Sequence, residues 1–289
     1  MNHPTEISLH SYLRGAVDGK STMSQEVIDQ VAEDIKVALH KQFNPEEEEP
    51  RKFKLRMSNI GRPTCQLWFQ KNDPNDAEPK PTSFKINMIL GDIVEAVFKG
   101  LLRASGTTFD DNDRVTLDLP NGGKVSGEYD MILDDKVDDV KSASPYAYEN
   151  KFIDFNTLKA KDDFGYVSQL VGYAAAAGKD IGGWWVVNKA NGRFKYVSAE
   201  EANTKEVLED IEDTYDYIDK DKPFERCFEP VPETYFRKPS GNMKLCMACN
   251  FCDFRYKCWP TLEALPSKVS RAKEKPIVEY VSTIKGSIR

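Results

Sequence analysis

The sequence predicts an α/β fold, on three observations. A long stretch of helical apolar periodicity, from 83 to about 104, is followed by three strand-like segments at 115–119, 124–133 and 136–142. A second helical stretch at 166–177 follows them, and then a further strand hairpin over 182–197. Helix, meander, helix, strand is the order of an α/β core, and it places the acidic hairpin at mid-sheet between two helices.

The elements read in order as follows. Residues up to about 19 form a short polar lead. From 22 to about 43, Val27, Val31, Ile35 and Leu39 recur every four residues, which predicts an amphipathic helix with one buried stripe. Asn44-Pro45 ends it, an acidic loop spans 46–50, and a basic run follows at 51–56. Ser58 stands where it could cap a helix holding Cys65, Leu67, Trp68 and Phe69. Residues 71–81 are a loop rich in Pro and Asp. In the long helix after it, Gly91 and Glu95 lie one turn apart on a common face. Asn121-Gly122-Gly123 and Asn191-Gly192 mark strand turns, and Ser198-Ala199-Glu200-Glu201 has the form of a capping box opening a helix to about residue 219. The remainder reads as irregular and cysteine-bearing.

The stretch 127–141 carries the chemistry. With Asp134-Asp135 as a two-residue turn, paired residues have numbers summing to 269, so Leu133 faces Lys136, Asp130 faces Asp139 and Glu128 faces Lys141. Residues directly opposed on one sheet face hold their Cβ atoms within ~4.5–5.5 Å. Two carboxylates that close repel, and a divalent cation is the simplest offset. Asp139 and Lys141 share a strand face, Asp130 lies opposite, and the upstream helix supplies Glu95. Three carboxylates, one lysine and the Val140 carbonyl can then converge on a pocket suited to Mg²⁺ or Mn²⁺.

A formal net charge of -7 argues against a wholesale polyanion-binding surface, but from Arg237 onward eleven Lys or Arg stand against four Asp or Glu. An acidic centre and a basic tail fit a metal site beside a nucleic-acid track. No run of about 18 apolar residues and no signal-like start is found, so a cytoplasmic protein without membrane association is expected. Of six cysteines, four lie between Cys246 and Cys258, which in this context reads as metal ligation sooner than disulfides. Isolated Cys227 reads as a buried small hydrophobe. All three histidines precede residue 41, so chemistry needing a histidine is not expected.

Motif by motif, over roughly 58–260, the sequence resembles the RecB-like branch of the PD-(D/E)XK nucleases, which includes CRISPR-associated iron-sulfur exonucleases and phage exonucleases. Gly91-x3-Glu95, Gly127-x2-Asp130, Asp139-x-Lys141 and Gln169-x3-Tyr173 stand in that family's order. Asp139 replaces the commoner glutamate and Glu95 the usual histidine. The resemblance implies a mixed central sheet flanked by helices, with an N-terminal helical extension (1–57), a nuclease core (58–220) and a C-terminal cysteine-rich segment (221–289). It also implies a metal held by Glu95, Asp130, Asp139 and Val140, with Lys141 orienting or deprotonating a water, and with Gln169 and Tyr173 positioning the nucleic-acid strand. Cys65 with Cys249, Cys252 and Cys258 matches the family's [4Fe-4S] staple, although four thiolates also suit Zn²⁺ and Cys246 could stand in for Cys65. The expected partner is DNA, as single strands or duplex ends, with recombination or replication proteins as further partners. A recombination-complex subunit with a vestigial site and a zinc-stapled structural protein are the alternatives.

Overall fold

The computed structural model describes residues 3–44 and 53–284; the acidic loop at 46–50, the start of the basic run and the last residues of the basic tail lie outside them. The chain divides into two units, Met1–Gly61 with Pro81–Asp216 and Arg62–Lys80 with Tyr217–Arg289. This division differs from the expected one: the first 57 residues share a unit with the core, and Cys65 belongs with the C-terminal segment.

The first unit is a mixed α/β fold, as its element order predicts. Its helices are α1 (Pro4–Val17), α2 (Gln25–Phe43), α4 (Thr82–Ala104), α5 (Pro145–Asn150), α6 (Phe155–Ala160) and α7 (Tyr166–Ala177), and it holds most of α8 (Thr204–Asp219). A five-stranded sheet runs in the order β1 (Asp110–Asp111), β4 (Met131–Leu133), β5 (Lys136–Ala143), β6 (Asp180–Asn188) and β7 (Phe194–Ser198). Only β5 and β6 pair in parallel. Their buried residues include Trp184, Trp185 and Val186, none of them exposed, as a strand covered on both faces requires.

Three sequence expectations change here. The polar lead is helix α1: Pro4 opens it, His3 Nδ1 accepts the Thr5 N–H, and Leu9 is fully buried among Phe98, Leu102 and Trp185. One such buried leucine contributes about 1.5–3 kcal/mol, enough to dock an otherwise polar helix. The meander is broken, because β2 (Arg114–Asp118) and β3 (Lys124–Glu128) form a separate two-stranded sheet. The expected capping box is a turn at the end of β7, with Ser198 Oγ accepting from Glu200 N; the helix begins later, where Asn203 Oδ1 accepts the Glu206 N–H. Helix α2 forms as read, with Ser24 Oγ accepting the Val27 N–H. Its stripe is only half covered, since no residue of α2 is fully buried. It packs on α4 where Gly100 leaves room for Val31.

The second unit holds α3 (Thr64–Asn72), which starts at Pro63 rather than at Ser58. Its C-terminal part is not irregular. A four-stranded antiparallel sheet runs in the order β10 (Glu263–Pro266), β11 (Ile277–Ser282), β9 (Lys238–Lys244) and β8 (Val231–Tyr235), with the short helices α9 (Met247–Asn250) and α10 (Arg255–Cys258) between β9 and β10. These strands are polar and escape periodicity. Their buried centre is Glu233, whose carboxylate accepts from Tyr280 Oη at 2.7 Å, Asn242 Nδ2 at 2.9 Å and Ser267 Oγ at 3.1 Å.

Candidate active site

The hairpin turn is as read. Asp134 and Asp135 both have positive φ, 51° and 65°, the mirror-image turn that a two-residue loop needs. Leu133 lies opposite Lys136, Ile132 opposite Val137 and Met131 opposite Asp138, the predicted register. Beyond Met131 the ladder ends. Asp130 is brought to β5 by its side chain, with Oδ2 accepting the Val140 N–H at 2.8 Å. Glu128 does not face Lys141; it lies opposite Arg114 in β3 and accepts from Asn112 Nδ2. The chain departs from the ladder at buried Tyr129, whose N–H goes to the Asp113 carbonyl.

Alternation along β5 sends Asp139 and Lys141 to one face and Asp138 to the other. Asp139 is 3% exposed, and Lys141 Nζ lies 2.6 Å from its Oδ1. Oδ2 of Asp139 is buried and accepts no hydrogen bond, although the same ammonium is within ion-pair distance. Lys141 also donates to Gln169 Oε1 at 3.4 Å. Behind Gln169 stands Tyr173, buried and hydrogen-bonded to it. Tyr173 is thereby linked to Lys141 through Gln169.

The two motif glycines differ in kind. A Cβ on Gly127 would lie 2.7 Å from both the Tyr173 ring and Met57 Cβ, so the side chain's absence is what lets Tyr173 seat against β3. On Gly91 the nearest atom would be Ser142 Oγ at 3.7 Å, so packing does not demand glycine there. One turn on, Glu95 Oε1 is held at 2.9 Å by Lys99, whose side chain is almost wholly buried. Lys99 was not singled out in the sequence; the Glu-x3-Lys spacing was its only signal.

Burial, and next the negative charge of Asp130, push the Glu95 carboxyl up from its ordinary value. Burial, and next Asp139, push Asp130 up to about 6. Burial also raises Asp139, with Glu95 adding to it and Lys141 opposing. Burial alone would lower Lys141, but Asp139 and Asp130 outweigh it and hold it above its ordinary value, as a firm ammonium. Glu95, Asp130 and Asp139 thus carry like charge close together, offset by buried Lys99 and half-buried Lys141. Among the described residues no three His, Cys, Asp or Glu side chains stand as arranged to share one ion. The donor chemistry is nonetheless that of a hard divalent cation: three carboxylates, each disfavoured as an anion by burial, with Asp139 Oδ2 accepting no hydrogen bond. On one side Glu95, Asp130 and Glu128 line a cavity walled by Asp34 and Lys41 of α2.

Asp138, on the other face, is spent on structure. It accepts from Gly183 N at 2.7 Å, Trp185 Nε1 at 2.9 Å and Tyr196 Oη at 2.9 Å, and burial pushes it up to about 7.

In the second unit, Cys65, Cys249, Cys252 and Cys258 line one cavity walled by Phe69 and Trp259. Cys246 is hydrogen-bonded to Cys249 but does not line that cavity. Cys227, expected as a buried hydrophobe, is exposed instead, and its Sγ accepts the Cys65 N–H at 3.1 Å near the start of α3. Hydrogen bonding from Cys65 lowers the Cys227 thiol to about 6, against the opposing effect of burial.

Among the described residues no helix is long and apolar enough to cross a membrane. No family model matches the chain, and no curated protein matches it. Among solved structures it is similar to the crystal structure of SSO0001, at 11% identity and a TM-score of 0.41, over 81% of this chain and 96% of that one.

Proposed function

We propose that the protein is a metal-dependent DNA exonuclease of the RecB-like PD-(D/E)XK type, hydrolysing phosphodiester bonds in single strands or at duplex ends. The observation that carries this reading is the grouping of Asp139 and Lys141 from β5 with Asp130 on the Val140 N–H and Gln169 of α7 on Lys141, while Glu95 of α4 lines the same cavity as Asp130. The raised carboxyls of Glu95, Asp130 and Asp139 support it further, since perturbed titratable groups cluster at functional sites.

Glu95, Asp130, Asp139 and the Val140 carbonyl would hold Mg²⁺ or Mn²⁺. When bound, such an ion polarises a phosphate and makes a bound water a stronger nucleophile. Lys141, an ammonium, offsets charge developing on the phosphate oxygens and orients the attacking water by donating to it; its raised pKa speaks against a role as base. Gln169 fixes the ammonium's direction, and Tyr173 fixes Gln169. Asp130, through the Val140 N–H, keeps the main chain of β5 in place beside the carboxylates.

Cys65, Cys249, Cys252 and Cys258 would bind a [4Fe-4S] cluster; their shared cavity supports this set over one using Cys246. Zn²⁺ is the alternative occupant of the same thiolates.

The test of the nuclease reading is Asp130→Asn and Lys141→Met, assayed on labelled DNA with Mn²⁺ or Mg²⁺. Each should lower the rate by about 10²–10⁴-fold, the range for losing a positioned catalytic group, while circular dichroism is unchanged. Undiminished cleavage in both variants would place the chemistry elsewhere or in a contaminant.

A further inference from the structure

Next to Lys141 the first unit carries a column of aromatic rings that the catalytic scheme does not use. Phe152 and Tyr166 lie with centroids 5.8 Å apart and planes 27° apart. Tyr166 and Phe164 follow at 5.8 Å and 18°. The column runs from buried Phe152, 3% exposed, through Tyr166, whose ring centroid is 5.2 Å from Lys141 Nζ, to Phe164, 37% exposed.

The rings are held in advance. Lys151 Nζ sits 4.5 Å from the Tyr166 centroid and 5.1 Å from that of Phe164, bracing both by cation–π contact, and is itself only 12% exposed. Asp162 accepts the Tyr166 N–H at 2.9 Å and the Val167 N–H at 2.8 Å, fixing the first turn of α7. Gly165, at φ 77°, is pressed against the Gly61 main chain, where no side chain would fit. A loop fixed by a cap, a left-handed glycine and a buried cation, ending in a partly exposed phenylalanine, resembles a prepared contact surface more than a solvated turn.

We propose that Phe164, backed by Tyr166, forms a stacking platform for the unpaired bases of a single DNA strand whose backbone passes Lys141, so that the preferred substrate is single-stranded. This rests on the nuclease reading for the direction of the strand. Every base has a π-face, so such a platform holds a strand without reading its sequence. In a duplex the base faces are already stacked on one another, and the platform has nothing to add. Lys151 is engaged by both rings and by Asp162, so phosphates near Lys141 answer to the Lys141 ammonium.

The experiment uses the full chain with Ca²⁺ in place of Mg²⁺ or Mn²⁺ and a single-stranded oligonucleotide carrying 2-aminopurine, whose fluorescence falls when the base stacks. Binding is followed by anisotropy in the same sample. Wild-type protein should quench the probe and bind the single strand more tightly than a blunt duplex of the same sequence. Phe164→Ala should lose the quench and weaken binding by roughly 5- to 150-fold, the effect of one lost base–aromatic stack. Phe164→Trp should restore both, which a variant that merely loosens the loop would not do. Equal quenching in wild type and Phe164→Ala, or tighter binding of the duplex by wild type, overturns the proposal. Quenching and binding by a protein that cleaves nothing would sink the nuclease reading and leave the platform standing. Cleavage with no change of quench between wild type and Phe164→Ala would do the reverse.

Discussion

Gly127→Ala is the sharpest test of how the buried side of the site controls the exposed side. The added methyl would lie 2.7 Å from the Tyr173 ring, 2.9 Å from its hydroxyl oxygen and 2.7 Å from Met57 Cβ, all inside ordinary contact distance. None of these is the free end of a flexible chain: Tyr173 is 3% exposed and Met57 fully buried. Overpacking of this kind costs about 1–3 kcal/mol. For a chain of this size each kcal/mol lowers the melting temperature by roughly 2–4 °C, so a fall of about 2–12 °C is expected. The displaced ring also releases Gln169, which otherwise shares the Lys141 ammonium with Asp139. Nuclease activity should therefore drop at least tenfold at temperatures where the variant is still fully folded. Gly91→Ala is the internal control, because its nearest neighbour is 3.7 Å away and alanine favours a helix over glycine by up to about 1 kcal/mol. Thermal melts and initial rates on labelled DNA read both. A Gly127→Ala protein that melts and cleaves as wild type, or a Gly91→Ala protein equally damaged, would refute the argument.

Other outcomes follow from the same geometry. Protein purified without oxygen should be brown, with broad absorption near ~400 nm from thiolate-bound iron-sulfur; Cys65→Ser should lose the colour and Cys246→Ser keep it, whereas a colourless zinc-loaded wild type would exclude the cluster. Asp130, raised to about 6 in the metal-free fold, contributes stability that is present below about pH 4 and is lost as pH rises through 6. A divalent cation that binds the ionised form should then raise the melting temperature more at pH 8 than at pH 5; an increment that shrinks with pH would contradict the assignment. Lys99→Met, by removing the ammonium from half-buried Glu95, should weaken Mn²⁺-free stability and raise the Glu95 pKa further, which a carboxyl-resolved NMR titration would detect.

The parts of this fold legible in the sequence are those where a short-range rule acts alone. Helix α7 matches its apolar run, ending at Gly178 in the left-handed conformation, and the Asp134-Asp135 turn fixes its own register. Legibility failed where long-range contacts decide. Leu9 makes α1 a packed helix only because Phe98 and Trp185 await it, and the polar strands around Glu233 are held by a buried carboxylate network that no periodicity reports. In the site, the register from the turn to Met131 and Asp138 could be counted, but the break that takes Asp130 out of the ladder and carries Glu128 to Arg114 could not. Lys99 and the Phe164–Tyr166 rings were hidden because their roles come from burial and orientation, not from residue spacing.

The second unit is assembled from two pieces of chain separated by the whole of Pro81–Asp216. Any group that ties the Cys65 thiolate to those of Cys249, Cys252 and Cys258 closes a covalent ring around that intervening segment. A cross-link closing more than 100 residues removes enough freedom from the unfolded chain to add about 4–5 kcal/mol to folding, without altering one contact around Asp130. The ring can close only after the ribosome has released the C-terminal cysteines. The carboxylate site would then fold first on an open chain, and its resistance to unfolding would be set last.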